Sequence, residues 1–173
     1  MTVSVVPILK TERLVLRGPL ATDTAPLAAF LSGPRAVWTG GPYPAEDAPY
    51  WLEHLVTVWQ RRGWGSWIVA LASDDTPIGR VGMLDHEAWD EPELAWFLFD
   101  GFEGRGYATE AVRAARAHGN GPLGLPALCS FIDPANTRSR ALAERLGARQ
   151  ERGISLDGLA FDLFRHPMAR GQA

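Results

Sequence analysis

Apolar positions along this 173-residue chain change period several times, and each change marks where one element ends and the next begins. Leu14, Val15 and Leu16, led in by Thr11-Glu12-Arg13 and closed by Arg17, read as a first strand. From Thr22 to Leu31 the residues Leu27, Phe30 and Leu31 fall on one face of a short helix, which Gly33-Pro34 breaks. Trp38 to Pro44 reads as a loop carrying two glycines and two prolines. Trp51, Leu52, Leu55, Val58 and Trp59 then recur at helical spacing, which predicts a second helix from Glu46 to Arg62, ended by Gly63 and Gly65.

The pattern turns strand-like in the middle of the chain. Ser66 to Ala72 and Pro77 to Leu84 form a predicted hairpin around Asp74-Asp75, and Asp85 to Pro92 is a polar connection. Leu94 to Phe99 is a continuous apolar run, the signature of a strand buried on both faces. A glycine-rich turn leads into a helix over Tyr107 to His118, stopped by Gly119 and Gly121. A strand over Ala127 to Ile132 precedes a helix over Thr137 to Leu146, with Asn136 as N-cap and Gly147 just past its end. Ala148 to Ile154 and Leu159 to Phe164 read as a terminal pair of strands around Asp157-Gly158. The order is β-α-α-β-β-β-α-β-α-β-β, a single α/β (α+β) domain without repeat or linker.

Composition removes several alternatives. An apolar content of 46% is too high for a disordered chain, and no apolar run reaches the ~18 residues of a membrane helix. The single Cys excludes a disulfide scaffold and points to a reducing, cytoplasmic setting. A net charge of −3 argues against a broad nucleic-acid-binding face. That charge is unevenly spread. Residues 85 to 103 carry seven carboxylates and no Lys or Arg, which leaves +4 for the rest of the chain. The four His residues show no metal spacing, so no metal is expected.

The segment richest in chemistry is Gly101-Phe102-Glu103-Gly104-Arg105-Gly106-Tyr107-Ala108-Thr109-Glu110-Ala111. Glycine takes positive φ readily and lets backbone N–H groups converge without a Cβ in the way. The helix start adds unpaired N–H donors and the positive end of its dipole, so a buried strand, a Gly-x-Gly turn and a helix make an anion site suited to phosphate. No Gly-Lys-Ser/Thr follows, and the glycine spacing does not fit a Rossmann turn.

This segment resembles motif A of the GCN5-related N-acetyltransferase (GNAT) superfamily, and the chain as a whole resembles its RimJ/RimL-like, ribosomal-protein-type branch. The resemblance is carried by Thr11-Glu12-Arg13-Leu14-Val15-Leu16-Arg17, Pro77-Ile78-Gly79, Gly104 to Ala111, and Asn136-Thr137-Arg138-Ser139 running to Leu146-Gly147-Ala148. It implies one domain over residues 9–168 with terminal extensions 1–8 and 169–173. The implied architecture is a twisted, mostly antiparallel mixed sheet of about seven strands flanked by about four helices. It also implies acetyl-CoA as co-substrate and a primary amine (a protein N-terminus or a small molecule) as acceptor, attacked directly in a ternary complex. Homodimers are common in the branch.

By the same resemblance, the amides of Gly104, Arg105, Gly106, Tyr107, Ala108 and Thr109 hold the pyrophosphate. Trp96, Phe97, Leu98 and Phe99 pair with the pantetheine arm, and a backbone N–H there faces the thioester carbonyl. Asn136 contacts the cofactor, unless it serves only as the helix cap. Glu93 is the favoured general base, with His86 a weaker candidate. Many superfamily members carry a Tyr general acid at the position of Ala143, and Ser139 is the nearest hydroxyl able to substitute. The missing Tyr keeps open a non-catalytic CoA-binding module, and a different acyl-CoA donor is a further alternative. Cys129 reads as a small buried hydrophobe.

Overall fold

The computed structural model describes residues 6–87 and 89–169, so 1–5, Ala88 and 170–173, most of the predicted extensions, lie outside the described residues. The elements are β1 (Leu9–Lys10), β2 (Leu14–Arg17), α1 (Thr24–Leu31), α2 (Ala48–Arg62), β3 (Ser66–Leu71), β4 (Pro77–His86), β5 (Trp89–Leu98), α3 (Tyr107–Asn120), β6 (Cys129–Ile132), α4 (Thr137–Arg145), β7 (Arg149–Leu156) and β8 (Leu159–Arg165). The strands form one sheet in the order β1-β2-β3-β4-β5-β6-β8-β7. Every neighbouring pair is antiparallel except β5–β6.

The predicted order holds with one addition, the two-residue β1, which pairs Leu9 with Leu16 at the sheet edge. The predicted polar connection over 85–92 is instead mostly strand. β4 runs on to His86, β5 begins at Trp89, and these two residues pair across the turn. Asp90, Glu91 and Pro92 have low strand propensity. Long-range partners override it here: Arg165 of β8 donates to both carboxylate oxygens of Glu91.

Side-chain parity divides the sheet into two covered faces. Arg80 and its register partner Phe97 face α1 and α2. Phe30 of α1 stacks flat on Phe97 with ring centroids 4.3 Å apart, a pairing worth about 0.5–1.5 kcal/mol beyond area burial. Met83 and Trp67 lie on the opposite face against α3, where Trp67 meets His118 edge-on. Trp67, Leu14, Leu16, Ile78 and Leu94 are fully buried between these layers. Gly79 is required by packing, since a Cβ there would stand 2.2 Å from the Phe97 carbonyl oxygen.

Candidate active site

β5 and β6 share one register pair, Glu93 with Cys129, and β5 then runs five residues further without pairing to β6. The two parallel strands therefore part into a vee. Side chains finish the ladder where it stops. Glu93 Oε1 accepts from the Phe131 amide at 3.2 Å, and Ser130 Oγ donates to the Leu94 carbonyl at 2.5 Å. Because Ser130 spends its proton on Leu94, it accepts from His166 Nε2 at 2.8 Å, which fixes the neutral Nε2–H tautomer. Burial agrees, pushing the His166 pKa down to about 4.

Hydrogen-bond phase shows which backbone groups of β5 face the vee. The Phe99 amide donates to the Ile78 carbonyl of β4. Antiparallel pairs alternate, so Phe97 and Phe99 turn their backbone groups toward β4 while Trp96 and Leu98 turn theirs toward the open edge. The Leu98 carbonyl is taken by Arg35 Nη1 at 3.0 Å. Among the described residues, Trp96 N–H and C=O have no such claim on them.

The turn beyond β5 places positive φ at Gly101, Gly104 and Gly106 (+90°, +75° and +79°). Gly106 is the N-cap of α3. Among the described residues, the amides of Gly104, Arg105, Gly106, Tyr107, Ala108 and Thr109 have no acceptor. Arg105 is exposed.

A clamp that the sequence did not reveal holds this turn. Thr11 Oγ1 donates to Glu110 Oε1 at 2.6 Å, and Arg13 Nε donates to Glu110 Oε2 at 2.7 Å. Arg13 Nη1 reaches the Arg105 carbonyl at 2.9 Å, and its guanidinium lies 4.7 Å from the Tyr107 ring centre. Burial tends to raise the Glu110 pKa, but the bonds from Thr11 and Arg13 outweigh it and hold the carboxyl below its ordinary value. Stability from this clamp is thus present above the unfolded carboxyl pKa and lost as pH falls through the folded one. Glu110→Gln should lower Tm by about 2–8 °C, for a loss of about 1–2 kcal/mol. Scanning calorimetry of the variant beside the wild type checks it.

At the base of the vee Glu93 is 7% exposed, and its Oε2 lies 2.5 Å from His86 Nε2. That bond is the main reason the His86 pKa is raised, with burial opposing it and Asp85 and Asp157 adding to it. His86 opens on a cleft of about 440 Å³ bounded by Asp85, Glu87, Leu156 and Asp157, so the β7–β8 turn faces the His86–Glu93 pair. The Phe131 ring packs against both His86, at 5.5 Å, and Trp89, edge-on at 5.3 Å.

Asn136 Oδ1 accepts from Ser139 N at 3.1 Å, the plain N-cap, which leaves its Nδ2 as a donor. Ala143 is fully buried in a cluster with Ile132, Phe164 and Trp96. Ser139 sits one helical turn before it on the same face of α4. No hydrogen bond joins Ser139 to Glu93 or His86. Cys129 is fully buried, and burial, with Glu91 adding to it, pushes its thiol up to about 12, so it stays protonated at neutral pH.

The acidic stretch is mostly compensated. Asp85 pairs with Arg61 and Arg62, Glu91 with Arg165, and Asp100 and Glu103 with Arg35. Glu93 pairs with His86, which leaves Glu87 and Asp90. Its negative charge secures local structure more than it projects a field. No group of residues able to hold a metal ion is present among the described residues, and no described helix is long and apolar enough to cross a membrane.

Known proteins share this fold. The sequence profile of the acetyltransferase (GNAT) domain matches residues 13–149. An acetyltransferase from Agrobacterium tumefaciens strain C58 is 34% identical, with a TM-score of 0.85 over 93% of this chain and 94% of its own. A Bordetella pertussis protein assigned to the GNAT acetyltransferases is 26% identical, with a TM-score of 0.77 over 93% and 99%. Mycobacterium smegmatis RimJ, solved in complex with CoA-disulfide, shares the fold at 20% identity, with a TM-score of 0.71 over 92% and 85%. With a splayed β5–β6 pair, an amide-lined glycine turn and these relatives, the chain belongs to the GNAT acetyltransferase family.

Proposed function

We propose that the protein transfers acetyl from acetyl-CoA to a primary amine, of a protein N-terminus or a small molecule, by direct attack in a ternary complex. The observation that carries this reading is the run of acceptor-free amides from Gly104 to Thr109 beside the open edge of β5. These residues fit CoA. A Cβ at Gly101 or Gly104 would meet nothing within 4 Å, so the turn has room for a pyrophosphate. Acetyl-CoA supplies the acyl group in activated, thioester form.

The six turn amides bind the pyrophosphate, and Asn136 Nδ2 donates to the cofactor arm. The cofactor-binding stretch Trp96 to Phe99 contributes in two ways: Trp96 and Leu98 through backbone groups that face the vee, Phe97 and Phe99 by packing against Phe30. The Trp96 N–H stabilises the charge that develops on the carbonyl oxygen as the amine attacks. The amine nitrogen forms its bond to the carbonyl carbon while its proton passes to the His86–Glu93 pair. The C–S bond then breaks and CoA leaves as thiolate, with the Ser139 hydroxyl donating a hydrogen bond to the sulfur. A protonated, buried Cys129 supports direct transfer over an acetyl-cysteine route.

The pair fixes the expected pH dependence. Glu93 raises His86, so on acidification His86 keeps its proton from a higher pH than an ordinary His and stops accepting another. kcat should fall on the acid side through a limb above ~6.5, the ordinary His value. A kcat profile at saturating amine reads it, and a limb at or below that value contradicts the assignment. The ion pair's contribution to stability runs the other way, full below ~6.5 and lost as pH rises through the raised value.

Ala143 in place of the family Tyr favours a second reading, a CoA-binding module without catalysis. Following CoA thiol release across a panel of amines separates the two. Release with acetylated amine supports transfer, whereas tight acetyl-CoA binding without release across the panel supports the module. Competing acetyl-CoA with succinyl-CoA in the same assay settles donor preference.

A further inference from the structure

One cation on the α1/α2 face of the sheet has no carboxylate within ion-pair distance among the described residues. Arg80 lies over the Phe97 ring at 5.0 Å and over Trp51 at 5.7 Å. Its Nε is buried without a hydrogen-bond partner. Among the described residues no carboxylate pairs with its guanidinium. Four other arginines withdrawn from solvent, Arg17, Arg35, Arg140 and Arg165, each hold a carboxylate, and Arg116, whose Nε is likewise buried without a partner, gives its Nη1 to the Leu146 carbonyl, whereas the Arg80 guanidinium makes neither kind of bond among the described residues. Desolvation lowers the Arg80 pKa to about 10, with Glu93 and Tyr43 acting in the opposite direction, so it is a cation at neutral pH.

Its placement relative to Glu93 has a pattern. The register pairs Arg80–Phe97, Gly82–Ala95 and Leu84–Glu93 alternate along β4 and β5, and all three project to the same face. Arg80 and Glu93 thus stand at the two ends of a stretch whose middle pair, Gly82 and Ala95, offers no side chain larger than a methyl. The two ends are four residue steps apart along the strands, ~13 Å between Cα atoms, and two long side chains shorten that gap. Tyr43 and Trp51, edge-on at 5.0 Å, wall the Arg80 end. A surface with a cation at one end and a carboxylate at the other matches a molecule carrying an amine and a carboxylate.

We propose that the acceptor is a small amino-acid-like amine, and that Arg80 receives its carboxylate while its amine is set toward Glu93. A guanidinium offers paired N–H donors in the geometry a carboxylate takes. The amine's fate rests on the acetyl-transfer reading above, but the carboxylate subsite does not.

The test uses a series of amino acids with growing amine-to-carboxylate separation, each matched to its carboxamide. Initial rates with acetyl-CoA are measured beside calorimetric binding to the enzyme–CoA complex. The wild type should prefer carboxylates over their carboxamides. Arg80→Gln should lose roughly 10- to 100-fold on the carboxylates, mainly in KM, and leave the carboxamides unchanged, with Arg80→Lys recovering part. Equal losses on both members of each pair would make Arg80 a structural cation and overturn the proposal. So would a wild type indifferent to the carboxylate, or one that takes only peptide amines. If no amine is acetylated but carboxylate amines bind in an Arg80-dependent way, the subsite stands and the transfer reading falls. If neither occurs, the subsite falls too.

Discussion

Gly106→Val is expected to weaken CoA binding at least ~100-fold while the protein still folds. Gly106 sits at φ +79° as the N-cap of α3, a conformation that costs a β-branched residue about 1–2 kcal/mol. Relaxing that strain rotates the peptide units on either side and turns neighbouring amides away from their common focus. Losing two hydrogen bonds to a charged oxygen at about 1.5–3 kcal/mol each accounts for the factor. The fold survives because a Cβ at this position would meet only Arg13 Nη2, at 3.4 Å. Tm should fall by about 2–8 °C. Gly63→Val is the matched control. Gly63 has φ +71° at the C-cap of α2 with nothing within 4 Å, so it carries the same strain far from the turn. Calorimetric titration with CoA should show normal affinity for that variant. Normal affinity for Gly106→Val would remove the turn as the pyrophosphate site.

Glu93→Gln is expected to lower kcat by ~10²–10⁴-fold with CoA affinity unchanged. The amide is isosteric, and its oxygen can still accept from the Phe131 amide that Glu93 Oε1 engages. What disappears is the negative charge beside His86. Burial then acts on the imidazole without its main opposing influence, so the His86 pKa drops and the acid limb of the residual rate moves to lower pH. A fall in rate together with that displacement identifies the pair as the proton acceptor. An unchanged rate at neutral pH would exclude Glu93 from the chemistry.

Local chemistry made part of this molecule legible in its sequence. Gly101, Gly104 and Gly106 stand where positive φ is needed, so the turn could be placed from the residues alone. Asn136 and Gly147 marked the ends of α4 because caps depend on neighbours within one turn. What depends on partners far along the chain stayed hidden. The start of β5 has the composition of a polar connection because Glu91 and Pro92 disfavour a strand, and only the spatial arrival of Arg165 reverses that. The Thr11–Arg13–Glu110 clamp joins residues 97 or more positions apart. Its two ends, Thr11-Glu12-Arg13 and the turn running into Glu110, each have a recognisable local pattern, but no single-sequence pattern connects them. Arg80 looked like an ordinary strand residue, since a missing counter-charge shows only once every neighbour is in place. The seven carboxylates of residues 85 to 103 have no Lys or Arg among them in sequence, and five of them find a cationic partner only through the fold.

The central claim is direct transfer of acetyl from a CoA thioester held by the turn to an amine deprotonated by the His86–Glu93 pair. Mass analysis of both amine and protein during turnover with acetyl-CoA tests it most directly. The account predicts acetylated amine matching the CoA thiol released, and no acetyl on the protein at any time. An acetyl group on Cys129 that forms before the product and then decays into it would contradict the account.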